Sequence, residues 1–362
     1  MRIRLVDRQE EKYWDDYVNQ HPYATLCHLY GWGKVIENAY RHRAYCLAAE
    51  TEDEGAGRRI KGILPVVHIK SLLFGSSLVS MPFLNYGGLL ADDEETEKQL
   101  FEEAVKLGCK LRARNLECRH ILPLSWSNGH GAGGSRSAAT PDPMTHKVRM
   151  LLDLPETSAK LFDSFKSKLR SQIRKPQKEG LVAVIGGAEL LGEFYHVFST
   201  NMRDLGSPVH SKKWFENILN EFGGRVRLGI VRYKDAAAAA GLIFCFRDTV
   251  EIIWASSLKA YNHVSPNMLL YWSILEYATD AGYRQFDFGR STPNEGTYKF
   301  KEQWGSKPST LYWYEQVLQE RSSSQAQPNA YRYRQKGEEL WQLMPLSLAS
   351  AVGPLIRRNI PL

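Results

Sequence analysis

The sequence predicts an α/β protein with mixed sheets, built from two similar lobes and followed by a C-terminal helical tail. Three observations lead to this prediction. Of the 362 residues, 43% are hydrophobic, which is enough for two buried cores. The same order of strands and helices recurs in the two halves, as in a duplicated unit. Segments rich in small and polar residues separate the halves from each other and from the tail.

The separating segments cover residues 127–143 and 321–328. Glycine, serine and proline at this density cannot hold a helix or a central strand, so the segments mark the domain boundaries. We therefore predict an N-terminal domain over 1–145, a C-terminal domain over 146–315 and a helical tail over 316–362.

Each half contains three segments typical of strands, then a helix and a further strand. A loop with tyrosine and asparagine joins the third strand to the helix in both halves. A glycine ends each predicted helix, Gly108 in the first half and Gly282 in the second. The predicted strands are 44–50, 62–67 and 78–81 in the first half, and 226–232, 241–246 and 251–255 in the second.

Composition and spacing exclude several classes of protein. No window approaches about 18 uninterrupted apolar residues, and the N-terminal stretch turns polar too early for a secretory signal, so we expect a cytoplasmic protein. The five scattered cysteines indicate reduced core residues, and the ten histidines form no metal-binding motif. Gly129, Gly131 and Gly134 match a dinucleotide-binding spacing, but no helix signal follows, so we interpret them as part of a loop.

A basic stretch covers residues 160–178 in a chain whose net charge is +7. Lys166, Arg170 and Arg174 follow one another at steps of four, which places three cations on one face of a helix. Only Asp163 opposes them within the stretch. Such a face favours a phosphate-bearing ligand, namely a nucleotide sugar, CoA or tRNA, because arginine binds phosphate bidentately. A solvated helix surface is the alternative.

Ser265, Pro266 and Asn267 carry a helix-start signal, a capping residue followed by proline. A helix N-terminus facing a cleft attracts anions, although an ordinary helix cap explains the same residues. The turn lacks the glycines that let the pyrophosphate of CoA approach the backbone, and Pro266 has no N–H. These features disfavour a CoA cradle without excluding it.

Asp287 and Arg290 follow a predicted strand at a glycine turn, where Asp287 suits a general base or an orienting group for Arg290. A structural aspartate that caps the turn is the alternative. Tyr298–Lys301 alternates like a strand, with the two lysines on one face. Lys301 is the best candidate cation for an acyl donor or an oxyanion, and an edge strand protected by lysine is the alternative.

Four motifs together resemble the FemAB family, whose members have tandem GNAT-like acyltransferase domains. The resemblance runs from about Trp32 to Tyr314 and is most specific in the second half. A shorter stretch, 71–88, is similar to a branch of that family found beside exosortase and exopolysaccharide genes. The motifs are 168–175 (KLRSQIRK), 265–270 (SPNMLL), 286–289 (FDFG) and 298–305 (YKFKEQWG).

The resemblance implies direct acyl or aminoacyl transfer, in which an amine attacks an activated acyl carbon with no covalent enzyme intermediate. Asp287 is then the expected base, and Lys301 and Arg290 stabilise charge. The functional cleft is expected on the second domain and at its junction with the first. The residues expected to bind or position substrate are Lys166, Arg170, Arg174, Tyr261, Asn262, Ser265, Asn267, Tyr298 and Tyr86.

The donor and the acceptor stay open at this point. An aminoacyl-tRNA donor indicates a peptidoglycan-bridge type of cell-wall reaction, and an acyl-CoA donor indicates N-acetylation of an amino sugar. The expected partners are a phosphate-bearing small molecule or a lipid-linked glycan, with tRNA as a further candidate, no DNA and no tightly bound cofactor. A scaffold that binds glycan precursors without catalysis is the third hypothesis.

The C-terminal tail has helical spacing at Trp341, Leu343 and Leu346, interrupted by Gly353-Pro354 and followed by basic residues. We expect it to dock on the protein. Contact with anionic lipid at the inner face of the membrane is the alternative.

Overall fold

A computed structural model describes residues 1–53, 57–71, 75–126, 141–319 and 330–361. The chain divides into two compact units, each with a seven-stranded mixed sheet. The first unit comprises Met1–Val148, Ser309–Ser323 and Asn359–Leu362, and the second comprises Arg149–Pro308 and Ser324–Arg358.

The strands and helices are numbered separately in chain order. The strands are β1 (Arg2–Leu5), β2 (Arg43–Asp53), β3 (Gly57–Ser71), β4 (Gly75–Val79), β5 (Leu90–Ala91), β6 (Asn115–His120), β7 (Val148–Asp153), β8 (Val182–Gly186), β9 (Val226–Tyr233), β10 (Ala236–Phe246), β11 (Thr249–Ser257), β12 (Gln285–Ser291), β13 (Lys307–Thr310) and β14 (Tyr312–Val317). The helices are α1 (Glu11–Gln20), α2 (Gly31–Tyr40), α3 (Glu94–Lys110), α4 (Ser158–Ser164), α5 (Ser167–Lys178), α6 (Leu191–Asp204), α7 (Lys212–Phe222), α8 (Pro266–Asp280), α9 (Gly296–Glu302), α10 (Ala330–Gln342) and α11 (Leu346–Arg357).

The sheet of the first unit has the order β1-β2-β3-β4-β6-β14, with β5 paired to β3. Strands β2, β3 and β4 run antiparallel, and β6 returns parallel to β4 after α3. Asp93 caps the N-terminus of helix α3, where its carboxylate accepts a hydrogen bond from the Thr96 N–H at 2.8 Å. Its apolar face packs Leu100 and Ala104 against the buried side chains of the sheet.

The sheet of the second unit has the order β13-β7-β12-β11-β10-β9-β8. Here β9, β10 and β11 run antiparallel, and β12 returns parallel to β11 after α8. Helix α8 is apolar on most of its surface because it lies between this sheet and α5. Both units therefore repeat three antiparallel strands, a helix and a parallel strand, which confirms the predicted fold class.

Four details of the sequence prediction are wrong. Strand β14 pairs with β6 in the first unit, so the second domain does not extend to residue 315, and the first boundary lies after Val148 instead of after 145. Gly108 lies inside α3, which continues to Lys110. Residues 298–301 belong to helix α9 and not to a strand. Helices α10 and α11 are part of the second unit instead of a separate tail.

Several predicted features lie outside the described residues. They include Gly129, Gly131 and Gly134, the whole 321–328 segment, and 72–74 of the stretch that resembles the exopolysaccharide branch. Cys27, Cys46, Cys118 and Cys245 are buried and lie in no disulfide among the described residues, whereas Cys109 is exposed. Within the described part of the chain, no helix has both the length and the apolar character needed to cross a membrane.

Candidate active site

The candidate site lies where two parallel strands of the second unit part. Strands β11 and β12 pair only from Thr249–Gln285 to Glu251–Asp287, although β11 continues to Ser257 and β12 to Ser291. The last pair places two carboxylates side by side on adjacent strands, and both residues are buried. Burying a carboxylate costs free energy unless hydrogen-bond donors or cations contact it. The groups next to Glu251 and Asp287 therefore define the site.

A turn beyond the last pair shapes β12. The Gly289 N–H donates to Asp287 Oδ1 at 2.7 Å, and Gly289 has a φ of +72°. This left-handed conformation suits glycine because it has no Cβ. Asp287 therefore caps the turn, as expected for an aspartate with a structural role. It lies beside Glu251 on the neighbouring strand.

Lys301 reaches this turn from helix α9. Its Nζ donates to the backbone carbonyls of Gly289 at 3.2 Å and Arg290 at 2.8 Å, and its side chain is buried. The predicted strand would have placed Lys301 at a sheet edge; the helix instead aims it at the carbonyls of Gly289 and Arg290. One ammonium can satisfy both carbonyls because lysine has three donors.

Burial lowers the pKa of Lys301 from 10.5 to about 8, because the charged form is desolvated. The Asp287 and Glu251 carboxylates act in the opposite direction, and the Arg290 guanidinium adds to the lowering. The site thus holds an ammonium that changes charge near neutral pH, close to two carboxylates. Such a group can polarise a carbonyl or stabilise an oxyanion when protonated.

Aromatic side chains form one wall beside Lys301. The Tyr271 ring from α8 stacks on Phe288 with centroids 5.8 Å apart and contacts Phe300 edge-on at 4.9 Å. Trp304 follows α9 and is fully buried against Tyr271 and Phe165. Burial raises the pKa of Tyr271, so its hydroxyl stays protonated across the physiological range. The wall excludes water from the ammonium.

Two buried polar atoms near this wall have no hydrogen-bond partner. They are Ser291 Oγ at the end of β12 and Trp304 Nε1. Buried polar groups are nearly always paired in folded proteins, so an orphaned hydroxyl at the end of a parted strand is a feature that a bound ligand would satisfy.

The predicted basic face lies on helix α5, but it differs from the prediction in two ways. Lys166 is the N-cap and has extended backbone, so the helix itself carries only Arg170 and Arg174 of the three. Arg170 also has an acidic neighbour, Asp163, at 3.9 Å. Arg174 lies over the Phe162 ring, 5.0 Å from its centroid. An open groove of about 410 Å³ follows this face and is lined by Ser167, Arg170, Ser171, Arg174, Lys175, Lys178 and Glu179.

The start of α8 adjoins this groove. Lys175 Nζ donates to the His263 carbonyl at 2.7 Å, which holds α5 beside the turn that precedes α8. Ser265 begins α8 in a left-handed conformation and its side chain caps nothing, so the predicted serine cap is wrong. Pro266 has no N–H, and the Met268 N–H already donates to the Ser265 carbonyl at 3.1 Å. The start of α8 therefore has one backbone donor missing and one already engaged.

The remaining predicted site residues are spread more widely. Tyr261 is half-buried and contacts Tyr233, with centroids 6.1 Å apart, whereas Asn262 is exposed. Asn267 and Tyr298 are half-buried in the second unit. Tyr86 is fully buried in the first unit, so its side chain belongs to that core instead of a substrate-binding surface.

Sequence reasoning missed Glu251, Tyr271 and Ser291. Glu251 had a usable signal, since it is a lone charge in the otherwise apolar predicted strand 251–255. Tyr271 and Ser291 carry no local signal, because only the tertiary fold brings them to Lys301. Among the described residues, no three or more His, Cys, Asp or Glu side chains are grouped to hold a metal ion.

Comparison with known proteins identifies the domain. Residues 163–302 match the family described as acetyltransferase (GNAT) domain. The second unit carries a GNAT acyltransferase domain. The match covers α5, the strands β8 to β12, and α8 and α9, so it includes Glu251, Asp287 and Lys301. The chain is thus an acyltransferase by its domain, and no curated protein matches its sequence.

Solved structures are similar over both units. A crystal structure of FemX has 15% identity and a TM-score of 0.65, and the alignment covers 88% of this chain and 97% of that one. The structure of L-PGS from Bacillus licheniformis has 12% identity and a TM-score of 0.54, covering 98% of each chain. A tandem GNAT protein from the clavulanic acid biosynthesis pathway has 11% identity and a TM-score of 0.53, covering 89% and 100%. These likenesses show a tandem GNAT-like fold.

The lowered pKa of Lys301 predicts how stability depends on pH. The folded pKa is about 8 and the ordinary value is 10.5. Between these values the unfolded chain binds more protons, so the penalty for burying the ammonium is present below pH 8 and disappears as the pH rises to 10.5. The free energy of unfolding of the native protein minus that of Lys301→Met should therefore increase by up to about 3 kcal/mol as the pH rises from 8 to 10.5. Urea unfolding at several pH values measures this difference, and parallel curves would contradict the lowered pKa.

Proposed function

We propose that the GNAT domain transfers an acyl or aminoacyl group directly onto an amine, at the point where β11 and β12 part. The observation that carries the proposal is the buried group of Glu251, Asp287 and Lys301. An ammonium and two carboxylates at one opening supply the two functions that amide formation needs, a cation for the oxyanion and an acceptor for the proton of the amine.

In this reaction the amine nitrogen attacks the carbonyl carbon of the donor. The new C–N bond forms while the carbonyl π electrons move to oxygen, where the Lys301 ammonium stabilises the charge. The carboxylate pair accepts the proton that the nitrogen loses. The C–O or C–S bond to the leaving group then breaks, and the proton passes to the departing oxygen or sulfur. Asp287 keeps one oxygen on the Gly289 N–H, which fixes the position of the pair.

An aminoacyl-tRNA donor is favoured by the basic surface of α5 in the same unit. Arg170, Arg174, Lys175 and Lys178 line the groove on α5, where they offer positive charge to several phosphates. The Arg174 guanidinium over Phe162 also gives a flat cationic surface. At the start of α8, the missing N–H of Pro266 and the engaged N–H of Met268 disfavour the pyrophosphate of CoA.

Acyl-CoA is the second candidate donor, because the matched family is described as an acetyltransferase domain. The protein would then N-acetylate an amine such as that of an amino sugar. The acceptor class proposed for either donor, a cell-envelope or exopolysaccharide precursor, rests on the resemblance to the FemAB family and its exopolysaccharide branch.

The decisive experiment supplies one donor at a time to the full chain. The donors are a tRNA pool charged with radiolabelled amino acids and radiolabelled acetyl-CoA, each offered with nucleotide-linked amino sugars and precursor peptides that carry a free amine. Label in an acid-stable amide from the charged tRNA supports aminoacyl transfer, and label from acetyl-CoA alone supports the second candidate. Saturable binding of the acceptors without label transfer from either donor would favour a scaffold instead of an enzyme.

Variants of the buried group test its roles in that assay. Lys301→Met and Glu251→Gln should each lower kcat by about 10²–10⁴ fold, because each removes a group that acts in the transition state. Asp287→Asn should lower kcat to a similar extent while the amide oxygen still accepts from Gly289. Lys307→Met, an exposed lysine of the second unit, is the matched control and should leave kcat unchanged. Unchanged kcat in Lys301→Met and Asp287→Asn would refute the assigned site.

The groove on α5 predicts salt-dependent binding of tRNA. The double variant Arg170→Gln, Arg174→Gln should bind tRNA more weakly and lower the slope of log affinity against log salt by about 2, roughly one for each phosphate that the two arginines neutralise. Lys212→Gln, Lys213→Gln removes two exposed charges of α7 in the same unit and should leave the slope unchanged. Filter-binding titrations over a range of salt measure both, and equal slopes in the two double variants would show that α5 is only a solvated helix.

A further inference from the structure

Helix α11 turns its small residues towards the protein. Ala349 and Gly353 are buried, and a Cβ at Gly353 would lie 2.9 Å from the Val209 backbone nitrogen. Any larger side chain at Gly353 would push α11 away from the loop at Val209. The inner face of the helix is therefore held by close backbone packing and buries little apolar side chain.

The outer face of α11 carries two exposed leucines, whereas Leu346, Val352 and Ile356 of the same helix are half-buried. Leu348, Ala351 and Leu355 are spaced by three and four residues, so they share one face, and all three are exposed. The two leucines expose 48% and 58% of their surfaces. A helix on a soluble surface ordinarily has the opposite arrangement, with its leucines facing the core.

The end of α10 adds two more exposed leucines. Leu340 and Leu343 are 67% and 81% exposed, while Trp341 between them is buried and packs towards Gly353 of α11. Helices α10 and α11 both pack on α6 within the second unit. We call Leu340, Leu343, Leu348 and Leu355 together the leucine surface.

Charge distinguishes the segment that bears this surface. Residues 340–362 contain no aspartate or glutamate, and their two charged side chains are Arg357 and Arg358. The Arg357 Nε donates to His210 Nε2 at 3.2 Å, which directs it inward, whereas Arg358 is exposed. The charged side chains in and directly after α11 are therefore only positive, whereas Leu340 on α10 directly follows Glu338 and Glu339.

We propose that the leucine surface lies in the interface of an anionic lipid bilayer. Exposed leucines beside arginine fit this environment, because the acyl chains take up the leucines and the headgroups face the cation. A second copy of the chain fits less well at α11, since pairing two copies of this helix would bring their Arg358 side chains together with no carboxylate on α11 between them. At about 18 Å, α11 is too short to cross the hydrocarbon core, so it would lie in the membrane plane. The proposal is independent of the proposed reaction, although it would place the enzyme near lipid-linked acceptors.

Vesicle flotation of the full chain tests the proposal. The probes are vesicles of phosphatidylcholine alone and of phosphatidylcholine mixed with phosphatidylglycerol. The native protein should float with the anionic vesicles, and Leu348→Gln, Leu355→Gln should reduce its partition about tenfold. Arg358→Gln should cause a smaller loss, and high salt should weaken flotation of the native protein to the level of this variant. Val182→Gln, which changes an exposed valine on β8, should bind like the native protein.

Folding and oligomerisation are checked in the same samples. None of the four substituted residues is buried, so the variants should retain the native circular dichroism spectrum and urea midpoint; Leu343→Gln offers a second test if Leu348→Gln, Leu355→Gln does not fold. Failure of the native protein to float, or equal flotation of the leucine variants, would overturn the proposal. A dimer in size-exclusion chromatography that these variants dissociate would also overturn it, by assigning the surface to a contact between copies.

Discussion

The second unit depends on one buried interaction, the two hydrogen bonds from the Lys301 ammonium to the carbonyls of Gly289 and Arg290. Parallel strands that part leave backbone groups without a strand partner, and an unpaired buried carbonyl is costly. The ammonium offsets that cost at the carbonyls of Gly289 and Arg290. Burial of the same side chain lowers the pKa of Lys301, because its charged form is desolvated.

Other contacts of the unit keep the Lys301 ammonium buried and fix its position. Helix α9 delivers Lys301, and Trp304 anchors the end of that helix against Tyr271 and Phe165. Phe165 lies just before α5, so the aromatic wall also fixes where the basic helix begins. Lys175 then ties α5 to the turn before α8. The groove that offers charge to a donor and the opening that would receive its carbonyl are thus positioned by one continuous set of contacts.

Much of the fold could be predicted from sequence, because alternating strands, glycine punctuation and proline at a helix start are local signals. The repeat was recognisable since β2 to β6 and β9 to β12 use the same order. Residues 298–301 were mispredicted because four alternating residues suit a strand and a helical turn equally, and here packing of Phe300 on Tyr271 decides for the helix. The return of β14 to the first sheet has no local signal at all. Asp287 and Lys301 could be identified from sequence motifs. The position of Glu251 beside Asp287 could not, because it follows from the pairing register of β11 and β12.

We propose that the donor enters between β11 and β12 beyond the Glu251–Asp287 pair. Hydrogen exchange followed by mass spectrometry tests this entry, comparing the full chain alone, with charged tRNA, with uncharged tRNA and with acetyl-CoA. A productive donor should slow exchange in peptides covering 252–257 and 288–291, and uncharged tRNA should slow exchange only along α5. Protection confined to α5, or to segments outside the second unit, with every donor would show that the donor does not enter there.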